Sequence, residues 1–334
     1  MSLQKTDVIR VTTIGMNGCV ASAITGPTDL FAAANEVRAS APTTLRENLP
    51  QFGWRLAGSQ KVTSQSGVVF EPSIPLSRLA ESDVIIVPGF GTYNPESRRQ
   101  VIADNANIIA ALASLRGSRS TIIGLCTGTL LLAEAGLLDG RSATTSWWNA
   151  VEFRKSYPSV DLNQSQMLVH DDTLITAGAG AAYFDAVLYF LGKQGGSWLA
   201  ETVANYFVLD QNRRSQSDYI LPVHIASTDA VIARADRWLR ERFREEGPIP
   251  LLAHHLGMSN RSLHRYFVQT VGMSPQRYAL TQRMQYARKL IERGHLSVET
   301  VALQSGYNDP NSFRRAFKAF FGLNTSAYKR RDRV

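Results

Sequence analysis

The segment Gly124-Leu125-Cys126-Thr127-Gly128 closes the β-branched run Thr121-Ile122-Ile123 and opens an apolar helical pattern over residues 129–132. A strand that passes through Gly-x-Cys-x-Gly into a helix is the plan of a nucleophile elbow, which holds a reactive side chain on a strained turn. Glycines at 124 and 128 let such a turn close. The helix that follows favours a thiolate at Cys126. After another β-rich run, the N–H groups around Pro88-Gly89-Phe90-Gly91 are candidates for an oxyanion site. Cysteine chemistry also needs a base within hydrogen-bond reach, normally a histidine. The nearest other histidine, His170 in MLVHDDTLIT, reads as part of a hairpin away from the elbow. The bland alternative for Cys126 is a half-buried structural cysteine.

The elements around this turn alternate. DVIRVTTIG, FGWRLAGSQ, VIIVPGF, STIIGLC and TLITAGAG read as strands, several ending in glycine. PTDLFAAANEVRAS, RRQVIADNANIIAALASLRG, TGTLLLAEAGLL, WWNAVEFRKSY and AAYFDAVLYFLGKQ carry helical spacing between them. Strand–helix alternation with buried, Val/Ile-rich strands predicts a flavodoxin-like α/β domain: a mainly parallel sheet with helices on both faces. Such sheets bind ligands at the carboxyl ends of their strands, where PGFG and GLCTG both fall.

A polar interval, DQNRRSQSDYILPVH at residues 210–224, ends the alternation, and only helical patterns follow it. The expected division is an α/β domain over 6–207, a linker over 208–225 and an all-α domain over 226–334. Charge divides the same way. Residues 226–334 hold 19 Lys and Arg against 9 Asp and Glu, a net of +10, while the preceding part carries 17 against 19. The whole +8 of the chain thus resides in its last third, which suggests a polyanionic partner. A hydrophobic content of 44% with 19% charged residues is that of an ordinary soluble protein, and no apolar run is long enough to span a membrane. With two cysteines, Cys19 and Cys126, a disulfide framework is not expected, and the chain reads as cytoplasmic. No metal or other cofactor is expected.

The basic third repeats itself. Shifted by 50 positions, SNRSLHRYFVQTVGMSPQRY lies on DPNSFRRAFKAFFGLNTSAY, so that Leu263 meets Phe313, Arg265 meets Arg315 and Phe267 meets Phe317. Each copy follows a short helix ending at glycine, LLAHHLGM or TVALQSGY, which is the helix-turn-helix plan. Ser259 and Asp309-Pro310 are helix-start signals. Leu263, Phe267, Phe313 and Phe317 share core-facing positions. Arg261, His264 and Arg265 of the first copy project elsewhere, as do Asn311, Ser312, Arg314, Arg315 and Lys318 of the second. Arginine grips guanine and asparagine grips adenine in a major groove. Each arginine taken singly is equally a phosphate contact or a surface charge.

These residues resemble the AraC family of transcription regulators over about the last 100 positions. The resemblance rests on Ser259-x3-Leu263-x-Arg265-x-Phe267, Gly272-x-Ser274-Pro275-x2-Tyr278, Arg283-x3-Ala287, Val301-Ala302-x3-Gly306-Tyr307 and Phe313-x-Arg315-x-Phe317-Lys318. One departure is Thr325, where the family usually has proline. The resemblance implies two helix-turn-helix units joined by a long helix, roughly residues 275–293. Their reading helices would enter successive major grooves about 34 Å apart.

Residues 6–195 resemble the PfpI/ThiJ-like branch of the class I glutamine amidotransferase superfamily, through TGPTDLFAAANEV, DVIIVPGFG, GLCTGTLLLAEAGLLDGRSATT and LITAGAGAAYFD. In that superfamily the catalytic histidine follows the TT pair, and here Ser146 stands in its place. The acidic residue expected before Gly26-Pro27 falls on Ala23. The resemblance therefore implies a degenerate elbow with no catalytic residues, attached to a reader of double-stranded DNA. A small effector is expected beside Gly89, Phe90, Cys126, Thr127, Ser146 and Trp147; an indole there suits an amine, a quaternary ammonium compound or an amino-acid derivative. Core packing is the alternative for Trp147 and Trp148. A homodimer is expected, with RNA polymerase a further candidate partner and the membrane none. Two other readings stay open: a cysteine hydrolase or amidase tethered to DNA, and a thiol redox-sensing regulator acting through Cys126.

Overall fold

Val84-Ile85-Ile86-Val87 is buried at every position, yet successive residues serve different cores. Val84 and Ile86 pack with Leu30, Phe31 and Leu191, whereas Ile85 and Val87 pack with Leu112, Leu130 and Phe153. A pleated strand sends alternate side chains to opposite faces, so a strand apolar throughout must lie between two apolar layers. That is the architecture of the first unit. The computed structural model describes residues 8–91, 95–210, 216, 229–245, 247–292, 296–321 and 324–325. It divides into units Met1–Asp218 and Tyr219–Val334.

The strands of the first unit are β1 (Ile9–Ile14), β2 (Phe52–Ala57), β3 (Val62–Thr63), β4 (Val69–Phe70), β5 (Val84–Val87), β6 (Thr121–Leu125), β7 (Ser142–Ala143), β8 (Asp161–Leu162), β9 (Leu168–Asp171) and β10 (Leu174–Ala177). Six form the main sheet, in the order β2-β1-β5-β6-β10-β9, with β9 antiparallel and the others parallel. Numbered among themselves, the parallel strands run 2-1-3-4-5, the flavodoxin-like order. The helices are α1 (Ser22–Ser40), α2 (Thr43–Arg46), α3 (Pro95–Asp104), α4 (Ala106–Ala113), α5 (Gly128–Glu134), α6 (Ala150–Ser156) and α7 (Ala182–Tyr206). Residues of α1 and α7 cover one face of the sheet, and those of α4, α5 and α6 the other.

Several boundaries differ from the sequence pattern: the helix expected at 181–194 runs on to Tyr206, broken at Gly196, where φ is 82°. The expected helix at 27–40 begins at Ser22 and carries Pro27 inside it. Proline suits the first helical position, but a second-turn proline loses only one backbone bond, and burial of Ala23, Ile24 and Leu30 outweighs that loss. The single helical pattern at 98–117 breaks at Asn105, whose side-chain amide donates to Val101 O at 2.7 Å. Asparagine competes in this way for backbone groups that a continuous helix would use.

The second unit is helical throughout its described residues: α8 (Ala230–Arg242), α9 (Pro248–His255), α10 (Asn260–Val271), α11 (Pro275–Glu292), α12 (Val298–Gln304) and α13 (Pro310–Phe321). Asp229, Ser259, Ser297 and Asp309 each accept hydrogen bonds from backbone N–H groups in the first turn that follows. Helices α10 and α13 repeat at a spacing of 50, but the turn glycines Gly257 and Gly306 do not, so the second turn is one residue longer than the first. Asp236 on α8 is buried and ties α8 to α11 by accepting from Tyr278 Oη at 2.8 Å and from Gln282, while Arg240 Nε holds its other oxygen at 2.7 Å. Arg283 on α11 donates to Phe243 O, just past the end of α8, at 3.0 Å through Nε. The last residue expected for the long helix, Arg293, lies outside the described residues, as do Gly322 and Tyr328 of the repeat.

Phe313 and Phe317 are fully buried and pack on each other at 5.6 Å between ring centroids, with Met284, Ala287 and Val301 around them. Phe317→Ala is expected to destabilise the second unit by about 3–5 kcal/mol. Thermal unfolding of the full chain should then show its helical signal melting early.

Candidate functional site

At the carboxyl end of β6 the backbone of Cys126 turns through φ 54°, the left-handed region that a β-carbon disfavours. Strain of this kind costs about 1–3 kcal/mol and persists only where its surroundings hold it. Here Cys126 N donates to Ala177 O at 2.9 Å, and Thr145 Oγ1 donates to Cys126 O at 2.9 Å. The turn is thus tied on one side to β10 and on the other to the segment after β7. Gly128 starts α5 hard against β5: a β-carbon there would stand 2.5 Å from Val87 O and 2.6 Å from Pro88 O. A β-carbon at Gly89 would lie 3.1 Å from Cys126 Cβ. Thr127 completes the seam, donating to Phe90 O at 2.7 Å and accepting from Phe90 N at 2.6 Å.

This seam changes two expectations. The N–H of Phe90 is spent on Thr127 and that of Gly91 points to Gly18 O at 3.5 Å, so neither is free to form the oxyanion site expected there. Nor is Cys126 set up as a thiolate. Burial pushes its thiol up, and hydrogen bonds from the Gly180 and Thr127 N–H groups and from the Ser146 hydroxyl offset that only in part. The helix behind it spans only seven residues, and burial is the largest cause acting on the thiol.

The other predicted residues lie as follows. Ser146 is fully buried, reaches the Cys126 sulfur and accepts from Asn149 Nδ2 at 2.9 Å. The position taken for the superfamily histidine is therefore beside the thiol, but it offers a hydroxyl that cannot serve as a base near neutrality. Ala23 is buried in the core with Leu125 and Ala177 and brings no carboxylate. Both ring nitrogens of His170, on β9, are engaged, with Tyr189 Oη at 2.8 Å and Asp172 O at 2.6 Å. Phe90 belongs to the core around Ile24 and Leu130. Trp147 is 8% exposed and meets Trp148 edge-on at 5.2 Å, so the accessible indole of the pair is Trp148, at 40%. Among the described residues no group of His, Cys, Asp and Glu could hold a metal ion.

In the second unit α10 and α13 carry the same exposure pattern. Leu263, Phe267, Phe313 and Phe317 face inward, while Arg261, His264, Arg265 and Val268 on α10, and Asn311, Arg314, Arg315 and Lys318 on α13, are exposed. Spacing i, i+3, i+4, i+7 puts each set on one helical face. Chemically the faces differ. Arg314 donates to Glu299 on α12 at 2.6 Å and to Asn311 Oδ1 at 3.1 Å, and Arg315 donates to Ser312 Oγ at 3.2 Å. Ser312 is half-buried and donates to the capping Asp309 at 2.6 Å. Arg261, His264 and Arg265 make no comparable hydrogen bond or ion pair among the described residues.

The sequence matches the DJ-1/PfpI family over residues 17–191 and a helix-turn-helix domain over residues 252–331. The HTH-type transcriptional regulator CdhR of Pseudomonas aeruginosa is 31% identical over 283 residues, covering 82% of this chain and 81% of the relative. The chain belongs to the DJ-1/PfpI family, among its helix-turn-helix transcriptional regulators. GbdR, another such regulator of Pseudomonas aeruginosa, is 27% identical over 267 residues, which is 79% of this chain and 70% of GbdR. A solved protein structure from Vibrio parahaemolyticus shares the fold with a TM-score of 0.51 at 16% identity, over 60% of this chain and all of that one.

In this DJ-1/PfpI regulator, sequence reading missed the side chains that act through others. Asn149 orients Ser146, Gly180 reaches the thiol through its backbone, and Glu299 restrains Arg314. Only the last had a legible signal, an acid in the first turn of the helix preceding a reading helix. Val268, apolar and at helical spacing, is nonetheless exposed.

Two outcomes test the elbow. Thr127→Val keeps the shape but removes both bonds to Phe90; it should cost about 1–3 kcal/mol, read from the melting temperature of the first unit. A raised thiol pKa leaves Cys126 protonated at neutral pH, so alkylation by iodoacetamide should still be accelerating above about pH 9. A rate that levels off near pH 7 would show a thiolate instead.

Proposed function

We propose that this transcriptional regulator binds duplex DNA sequence-specifically through α10 and α13, under the control of a small metabolite held at the carboxyl edge of its DJ-1/PfpI sheet. The observation that carries this is the matched polar face of two duplicated helices on a basic unit, joined to an elbow with a hydroxyl where a base is needed. Arg261, His264, Arg265, Asn311, Arg314, Arg315 and Lys318 are the proposed DNA contacts. Ser312 acts with Asp309 at the helix start.

The effector site is proposed beside Cys126 and Ser146, with Gly89 behind them. The exposed indole of Trp148, rather than Trp147, would then meet the ligand; it suits an amine or amino-acid derivative through its π face. Thr127 and Phe90 serve this site by bracing the elbow. No enzymatic activity is proposed, because the thiol has neither a base nor a lowered pKa to activate it. The same raised thiol disfavours the redox-sensing reading. The proposed organisation has a sensor domain before the polar interval and a DNA-binding domain after it. A homodimer would double the reading helices and raise avidity, and RNA polymerase is a further proposed partner. A cytoplasmic location accords with DNA binding, and no described helix is long and apolar enough to cross a membrane.

Duplexes enriched from a random pool by the full chain supply the test. Arg265→Ala and Arg315→Ala should each weaken binding by about 1–3 kcal/mol and relax base preference at separate positions of the enriched site. Wild-type affinity in both variants would remove α10 and α13 as readers. A thermal-shift screen of amines and amino acids against the full chain tests the effector class. Stabilisation that Trp148→Ala abolishes is the expected result.

A further inference from the structure

Gln216 lies within the polar interval read as linker, yet its side chain is 1% exposed. Its amide nitrogen donates toward Thr144 Oγ1 at 3.1 Å, Thr145 O at 3.0 Å, Gln164 O at 3.2 Å and Gln166 O at 3.0 Å. Its amide oxygen accepts from Ala179 N at 2.8 Å, and its own backbone N–H donates to Ser165 O at 2.7 Å. Gly178 leaves the room: a β-carbon there would stand 2.2 Å from Gln216 Cδ.

The cradle is chemically selective. Four acceptors surround one end of the side chain and a backbone N–H meets the other, the complement of a primary carboxamide. A carboxylate would set an anionic oxygen against four acceptors, and an apolar side chain would leave the Ala179 N–H unpaired. The residues of this cradle also hold the elbow. Ala179 N–H binds Gln216, and the next N–H, of Gly180, reaches the Cys126 sulfur. Thr145 O accepts from Gln216 while Thr145 Oγ1 donates to Cys126 O.

We propose that this cradle is a carboxamide-binding site whose occupant is the chain's own Gln216, and that its occupancy couples the Cys126 site to the segment leading to the second unit. The coupling rests on the regulator reading above; the site itself does not. An effector that displaces Ser146 or residues 178–180 shifts the donors and acceptors around Gln216 and lowers its hold. Gln216 in and Gln216 out are then the two states that such a ligand selects between.

The test uses the full chain and two readouts that need no DNA: hydrogen exchange of peptides covering residues 178–180, and the rate at which 5,5′-dithiobis(2-nitrobenzoate) labels Cys126. Cys19, fully buried, is the silent internal control. Gln216→Glu and Gly178→Ala should each speed exchange and labelling by about tenfold or more. In a Gln216→Ala background, Gly178→Ala should add nothing, because the atoms it would strike are gone. Unchanged exchange and labelling in Gln216→Glu overturn the site, as does a full additional effect of Gly178→Ala in the Gln216→Ala protein. Should Gln216→Glu not fold, Gln216→Ala against wild type supplies the same comparison. Coupling is read as a change of about threefold or more in affinity of Gln216→Ala for the enriched duplex. Altered exchange with unchanged affinity overturns the coupling. If the wild-type chain enriches no duplex, the regulator reading fails, while the exchange result still decides the cradle.

Discussion

The left-handed turn at Cys126 is the constraint around which the first unit is assembled. A residue with a β-carbon holds that conformation only while neighbours hold it there, and the neighbours come from three places in the chain. Ala177 accepts its N–H, Thr145 donates to its carbonyl, and the closeness of Gly89 and Gly128 lets the ends of β5 and β6 meet. Once these ties exist, Ser146 must lie at the thiol, because it follows Thr145 directly. The geometry of a nucleophile site is thus a by-product of how the strand ends are tied. It survives without the groups that make a nucleophile reactive.

What the missing base alters is charge. A histidine beside a cysteine can stabilise a thiolate and take its proton; a serine hydroxyl offers one hydrogen bond against the cost of half-burying an anion. Desolvation is the larger effect at Cys126, and the thiol stays neutral. In the proposed function, this neutral turn on the carboxyl edge of a parallel sheet holds a ligand rather than transforming one.

Legibility followed the range of the interactions involved. The parallel strands and the duplicated helices were readable because each is specified by its own hydrophobic period, and Leu263, Phe267, Phe313 and Phe317 took their expected inward places. Helix ends were less readable. Pro27 as a start and the run through Asn105 were both overridden by burial or by one side-chain hydrogen bond. At the elbow, residue types indicated the turn but not the direction of the thiol's pKa, which burial raises against the lowering contacts of Gly180 and Ser146, residues distant from it in sequence. Polar residues in an apparent linker carried no signal at all, since solvation and burial of Gln216 are decided by the cradle and not by Gln216.

The second unit holds two copies of one motif, and the copies are not chemically equal. Their inward positions are apolar in both copies, Leu263 and Phe267 in the first and Phe313 and Phe317 in the second, so the inward face carries no difference of charge. The outward faces diverge, and the divergence is electrostatic. Arg314 is already paired with Glu299 and Asn311, whereas Arg265 has no such partner among the described residues. An exposed ion pair is worth about 0–1 kcal/mol, so Arg314 is biased rather than locked. In the proposed reading of DNA, that bias presents Arg314 and Asn311 as one preset pair, while Arg261, His264 and Arg265 each seek a separate contact. In the proposed reading the two half-sites are therefore unlike, and the asymmetry of the site orients the chain along the duplex.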